Sequence, residues 1–185
     1  MLNNTNPKTA QWYKPALIAA AIFCFARGAM VRYRPDYVSP QTPLDYAAVV
    51  GTSLLLLFLA IGLWGFYLHH PATPSKARSV WRFSVAISCL SAATVAVSNF
   101  FEDALGFKEL GIVWVYGTLF LVLGMLIASI SAFWVQGFPK WVGGLLLVSI
   151  VGLYMMESGG LFGLGLALLA LSFLKFPTHV ELSPS

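Results

Sequence analysis

Charged side chains are scarce in this sequence. Asp, Glu, Lys and Arg make up 10% of its 185 residues, whereas hydrophobic residues make up 58%. A water-soluble domain usually carries about 25% charged residues, and a soluble fold of this size could not bury so much apolar surface. The apolar residues also form long blocks, each near the roughly 20 residues that a helix needs to cross about 30 Å of hydrocarbon. The composition excludes an ordinary soluble domain and predicts an all-α, polytopic transmembrane helix bundle.

Cysteine and histidine are also rare. Cys24 and Cys89 lie within apolar blocks, where a thiol behaves as a small hydrophobic group. His69 and His70 end the second block and His179 lies near the end of the chain, so haem ligation by facing imidazoles is unsupported. No lysine lies inside a predicted span, and the H-E-x-x-H, G-x-S-x-G and P-loop patterns are absent. We therefore expect no metal, no cofactor and no catalytic residues.

The basic residues are spread thinly along the chain. Eleven Lys and Arg against seven Asp and Glu give a formal net charge of +4. These cations are scattered over short connections and form no dense basic stripe of the kind that nucleic-acid-binding domains present. We therefore expect no nucleic-acid partner and use the charges to predict membrane orientation.

The apolar blocks predict six transmembrane helices. The first four spans cover residues 15–31, 46–68, 81–101 and 111–135. Residues 141–176 barely hold two more spans, divided at Glu157 and the residues after it. One long span with an interfacial or re-entrant segment is the alternative, which would leave five spans.

The first block also raises the possibility of a signal peptide, because two lysines precede it. It lacks a clear small-x-small cleavage site, and we expect a retained helix. The predicted organisation is a cytoplasmic segment at 1–14, a membrane bundle at 15–176 and a cytoplasmic tail at 177–185.

Charge counts predict that both ends of the chain lie in the cytoplasm. With the N-terminus inside, seven of the eleven Lys and Arg fall on the inner side, as the positive-inside rule requires. Six of the seven acids then fall outside. Five of the six tryptophans would lie near the inner interface, where aromatic belts occur. These residue classes agree on a multi-pass protein of the cell (inner) membrane.

Small residues spaced by four predict where helices touch, because they let backbones approach closely. The stripes comprise Ser84, Ser88, Ala92 and Ala96 in the third span, Gly124, Ala128 and Ala132 in the fourth, and Gly159, Gly163 and Ala167 in the last. The partner helix could belong to the same chain or to another one. Membrane lipid, a second copy of the chain and another membrane protein are the partners we expect.

A few polar residues near the outer ends of the spans form a candidate binding cluster. Its predicted members are Arg27, Asn99, Glu102, Asp103 and Glu157. Arg27 could extend to the outer interface or turn inward to pair with Glu102 or Glu157. Asn99 precedes Glu102 and Asp103 by three and four residues, so the three could share one helix face. The cluster could bind a cation, a polar solute or a lipid headgroup, or could only cap helices and solvate a loop.

Two resemblances to known proteins arise from this layout. A helix ending in NFFEDALGF, residues 99–107, followed by a long apolar helix and the turn GFPKW, residues 137–141, resembles uncharacterised bacterial multi-pass membrane proteins over residues 45–175. That resemblance implies no activity. The spacing of Ala16 and Ala20 is similar to that in the S components of energy-coupling-factor transporters, which are six-helix proteins of this size.

We expect a non-enzymatic accessory or self-assembling bundle, because the chain has packing stripes and no reactive constellation. The alternative is a transport component for a solute or ion that uses the outer polar cluster. An enzyme acting on lipid, with Glu102 or Asp103 as a base, is the third hypothesis.

Overall fold

The computed structural model describes residues 13–33, 40–68, 76–135, 138–155 and 158–173. Over these residues the chain is all-α, with six helices and no strand, which confirms the all-α part of the predicted fold class. In chain order they are α1 (Tyr13–Tyr33), α2 (Pro43–Leu68), α3 (Lys76–Asn99), α4 (Gly111–Ala132), α5 (Trp141–Tyr154) and α6 (Ser158–Ser172). A π-helical turn, Phe100–Ala104, extends α3, and a 3-10 turn, Lys108–Leu110, precedes α4. The predicted tail and most of the predicted N-terminal segment lie outside the described residues.

Four helices are long and apolar enough to cross a membrane, judged by length and composition: α1, α2, α3 with its π-helical turn, and α4 with its 3-10 turn. The last two are shorter, with 14 residues in α5 and 15 in α6, which corresponds to about 21 and 23 Å of helix. Residues 141–173 thus form two separate helices, and the chain changes direction near the position predicted from the sequence.

The six helices form a closed ring. Each helix packs against its neighbours in the sequence, and α6 returns to pack against α1. Contacts join opposite ends of neighbouring helices: the Tyr13 ring at the start of α1 packs on Phe66 near the end of α2, and Asn99 at the end of α3 bonds to Val49 near the start of α2. Helices α1, α3 and α5 therefore start at one end of the ring, and α2 and α4 start at the other.

The two ends carry opposite charges. The end where α1, α3 and α5 start is the basic end, and its described cations are Lys14, Lys76, Arg78, Arg82 and Lys140. All four described acids lie at the other end, the acidic end, where they outnumber the cation Lys108 of the 3-10 turn: Asp45, Glu102, Asp103 and Glu109. This separation follows from the antiparallel arrangement of consecutive helices.

Small residues set the distances between helices. A Cβ placed on Gly124 of α4 would lie only 3.0 Å from the carbonyl oxygen of Ser84 on α3. The hydroxyl of Ser129 on α4 donates to the carbonyl oxygen of Gly143 on α5 at 2.7 Å, and a Cβ on Gly143 would lie 2.8 Å from Ser129 O. The backbones of these helix pairs are therefore in direct contact.

Apolar side chains fill the inside of the ring. Leu59, Met125 and Leu164 are fully buried, and Trp81 packs edge-on against Phe138 with ring centroids 4.9 Å apart. A cavity of about 10 Å³ lies among α2, α3, α4 and α5, which is room for about one water molecule. The outward faces are apolar as well: Leu90 of α3 is 70% exposed.

Helix α3 starts earlier than the third predicted span. It begins at Lys76, so Lys76 and Arg78 are helical residues, whereas the predicted span begins at residue 81. A span predicted from hydropathy ends where charged residues begin. A helix requires only its backbone hydrogen bonds, so it can continue through exposed cations. Trp81, expected near the inner interface, is 1% exposed and belongs to the core.

Candidate functional site: a polar layer between three helices

Two adjacent hydroxyl residues interrupt the apolar sequence of α2. Thr52 lies nine residues after Pro43, about 13 Å along the helix from its start. Its hydroxyl donates to the carbonyl oxygen of Ala48 at 3.0 Å, the usual way for a helical threonine to satisfy its proton. The lone pairs of Thr52 Oγ1 then remain as acceptors inside the bundle.

Arg27 of α1 uses this acceptor. Its Nε donates to Thr52 Oγ1 at 3.0 Å, and Arg27 is half-buried at the α1–α2 contact. The side chain therefore turns toward α2 and binds a neutral hydroxyl.

Asn99 of α3 binds the next residue of α2. Its side-chain amide donates to Ser53 Oγ at 2.9 Å and to the carbonyl oxygen of Val49 at 3.3 Å. Asn99 and Ser53 are both buried. Because an amide with no partner is costly in an apolar interior, these bonds favour one alignment of α3 on α2.

Arg27, Thr52, Ser53 and Asn99 together form what we name the polar layer. It links three helices through one turn of α2, with α1 bonded to Thr52 and α3 to Ser53. Every member is a donor or a neutral acceptor, and the layer has no carboxylate. Its chemistry suits helix cross-linking more than proton transfer or nucleophilic attack.

The carboxylates predicted for the cluster lie elsewhere at the acidic end. Oε1 of Glu102 would lie 2.7 Å from a Cβ on Gly111, the first residue of α4. Glu102 makes no ion pair with Arg27 in the described part of the chain. Asp103 is half-buried on the π-helical turn, which packs against α2, and Glu157 lies outside the described residues.

The structure thus divides the predicted cluster. Arg27 and Asn99 meet at adjacent residues of α2, whereas Glu102 faces the start of α4. Asn99 and Glu102 contact different helices, although they are separated by only three residues. Across the described residues, His, Cys, Asp and Glu form no group of three that could hold a metal ion.

The buried acid of the acidic end is Asp45, which the sequence did not single out. Its Oδ2 accepts hydrogen bonds from the backbone N–H groups of Gln41 and Thr42, at 3.0 and 2.8 Å, and from the Thr42 hydroxyl at 2.8 Å. This arrangement is a capping box at the start of α2. It stabilises the helix that carries both hydroxyls of the polar layer.

The predicted stripes of small residues differ in their surroundings. Ser84 and Ser88 are buried against Gly124 across the α3–α4 contact. All the alanines of the three stripes are buried as well: Ala92, Ala96, Ala128, Ala132 and Ala167. Open space surrounds the Cβ positions of Gly159 and Gly163. On α6, Gly165 is the glycine that meets α1, through the ring of Phe25.

Thr52 and Ser53 are the functional candidates that the sequence reasoning missed. The signal was present, because two hydroxyl residues stand together before the run LLLLFLA of α2. Hydroxyl groups are common in membrane helices, where they bond to their own backbone. Only the position of α1 and α3 shows that these two have side-chain partners.

The chain matches no protein-family model, no curated protein and no solved structure. The resemblances noted from the sequence stay predictions.

Proposed function

We propose that the chain is a multi-pass protein of the cell (inner) membrane, with both ends in the cytoplasm. The outward apolar faces of the ring support this proposal, because contiguous exposed apolar surface of this extent is unsuited to water. Helices α5 and α6 would cross where the bilayer is locally thinner, since they are about 8 Å shorter than an average hydrocarbon core.

The distribution of charge supports the orientation. Cations weaken a helix when they lie near its N-terminus, because the backbone dipole is positive there. Lys14, Lys76 and Lys140 nevertheless lie at the starts of α1, α3 and α5. Helix stability does not explain that placement, whereas attraction to the cytoplasmic side of the membrane does.

Cysteine labelling tests this orientation. In a chain with Cys24 and Cys89 replaced by serine, Lys140→Cys marks the basic end and Glu109→Cys the acidic end. A maleimide that does not cross membranes should label position 109 in intact cells and position 140 only after lysis. Labelling of position 140 in intact cells would contradict the proposed orientation.

Within the membrane, we infer that the chain acts as a non-enzymatic accessory subunit or self-assembling bundle. The observation that carries this inference is the polar layer: its Arg27 and Asn99 donors bond to α2 and so hold the bundle together. Residues that a transporter or enzyme would direct toward a substrate are used here for contacts between helices.

Purification in mild detergent tests the inference. With a cleavable amine-independent crosslinker added before solubilisation, we expect either a discrete oligomer or a stoichiometric membrane-protein partner. A strictly monomeric chain that copurifies with nothing would contradict it. The matched control is the same preparation crosslinked only after dilution into SDS, where non-covalent complexes have dissociated and no specific adduct should form.

Transport of a cation or polar solute remains the second candidate. Asp103 favours it, because this half-buried carboxyl makes no hydrogen bond within the described part of the chain. A cation-dependent rise in thermal stability that Asp103→Asn abolishes and Glu109→Gln retains would support transport. The same rise in both variants, or none in the parent protein, would argue against it.

A further inference from the structure

The outer surface of the α2–α3 hairpin carries three stacked side chains at the basic end. The rings of Trp64 and Tyr67 lie one turn apart on α2, with centroids 4.9 Å apart and planes inclined by 14°. The guanidinium of Arg82 on α3 lies over the Tyr67 ring, 4.6 Å from its centroid. We name this group the aromatic–arginine stack. Both Trp64 and Arg82 are exposed.

Among the described residues, the stack is the contact that positions the Arg82 guanidinium. In the region that the structure describes, its guanidinium makes no hydrogen bond and no ion pair. Stacking orients the plane of a guanidinium and leaves the N–H groups at its edge available. Arg82 therefore presents a planar set of donors to whatever surrounds the protein.

The surroundings of the stack are positively charged. Arg78 lies one helical turn before Arg82, and Lys76 begins the same helix. Like charges four residues apart destabilise a helix, and so do cations at its N-terminus. No described acid lies at this end to offset them. An anion from outside the chain would offset the charge that the exposed Arg82 adds to this end.

We propose that the aromatic–arginine stack binds the phosphate of an anionic phospholipid in the leaflet that faces the basic end. This inference rests on the proposed membrane topology. A guanidinium binds two phosphate oxygens at once, and Trp and Tyr rings favour the depth at which headgroups meet hydrocarbon. The cations at Arg78 and Lys76 would repel the choline of a zwitterionic lipid, so a headgroup with net negative charge fits best.

Lipid titration of the purified full chain in neutral detergent tests the proposal, with native mass spectrometry to count bound molecules. Phosphatidylglycerol should bind more tightly than phosphatidylcholine. Arg82→Gln should weaken phosphatidylglycerol binding about tenfold. The matched control is Lys140→Gln, which removes the same charge at the same end on another helix, and it should change the affinity by less than about twofold. Inorganic phosphate at equal concentration should not compete.

Three results would overturn the proposal: equal affinity for the two lipids, equal losses in Arg82→Gln and Lys140→Gln, or displacement of the lipid by inorganic phosphate. Arg82→Lys provides a second readout if the glutamine variant does not fold, because it keeps the charge and loses the planar fork, and it should also weaken binding. Because a detergent micelle leaves both ends of the protein accessible, lipid binding measured in micelles does not depend on the orientation of the chain in the membrane. Failed lipid binding with the labelling result intact would therefore remove this inference and leave the proposed topology standing.

Discussion

The side-chain amide of Asn99 on α3 donates a 2.9 Å hydrogen bond to the hydroxyl of Ser53 on α2. Forty-six residues separate the two, and both are buried. The same amide also bonds to the carbonyl oxygen of Val49. One side chain thus fixes the offset of two neighbouring helices.

Replacing Asn99 by leucine should lower the free energy of unfolding by about 1 kcal/mol, the range measured for hydrogen bonds between membrane helices. Leucine has similar volume but leaves Ser53 Oγ without this donor. Reversible unfolding in mixed detergent and SDS micelles measures the change. The control is Ser98→Ala, because the buried Ser98 hydroxyl bonds to Val95 O in its own helix. Equal losses in the two variants would show that the cross-helix bond contributes nothing of its own.

Replacing Gly124 by alanine should destabilise the α3–α4 contact by about 1–3 kcal/mol, the usual cost of overfilling a packed interior. The new methyl group would lie 3.0 Å from Ser84 O, and a backbone atom cannot move aside cheaply. Gly144→Ala on α5 is the matched control, because its Cβ position meets nothing within 4 Å. We expect that control to be unchanged or slightly stabilised. A neutral Gly124→Ala, measured in the same unfolding assay, would contradict the close approach of these helices.

Arg27 and Thr52 should show an interaction free energy of about 1 kcal/mol in a double-mutant cycle. The cycle combines Arg27→Met, which keeps an unbranched flexible stem, with Thr52→Val, which keeps the shape of threonine, and each removes the 3.0 Å hydrogen bond. The control cycle uses Thr94→Val, because the Thr94 hydroxyl bonds to Leu90 O within α3. Additive effects of Arg27→Met and Thr52→Val would mean that the bond is not made in the membrane.

Removing the Asp45 carboxyl should cost about 1 kcal/mol, as for other N-terminal caps. Asp45→Ala loses three hydrogen bonds to Gln41 and Thr42. The backbone amides in the first turn of α2 should therefore exchange their hydrogens faster in this variant. Glu109→Ala removes an equal charge from an exposed position at the same end and should change stability by no more than a few tenths of a kcal/mol. Unchanged exchange in Asp45→Ala would contradict the capping role.

Much of the architecture could be predicted from local features of the sequence. The six helices, and the break that separates α5 from α6, follow from apolar runs and from Glu157 with the glycines after it. Helix starts were less predictable, because α3 begins at Lys76 and includes charges that a hydropathy window excludes.

The candidate site was only half predictable. Arg27 and Asn99 stand out as polar residues within apolar surroundings, but their partners do not. Thr52 and Ser53 resemble any hydroxyl pair in a membrane helix until α1 and α3 are placed beside them. From the sequence, Glu102 could face Arg27. In the structure Glu102 lies on the π-helical turn after Asn99 and faces the start of α4.

The sequence by itself determined the class of fold and the separation of charge, because run length, composition and the order of charged residues are properties of neighbouring positions. Only the tertiary structure decided which faces meet: Gly124 against Ser84, Gly165 against Phe25, Asn99 against Ser53. Each helix of this chain is apolar on nearly every side and has several small residues, so hydrophobicity cannot choose among its faces. That choice depends on shape and hydrogen bonding between residues far apart in the chain, which become apparent only when the helices are packed.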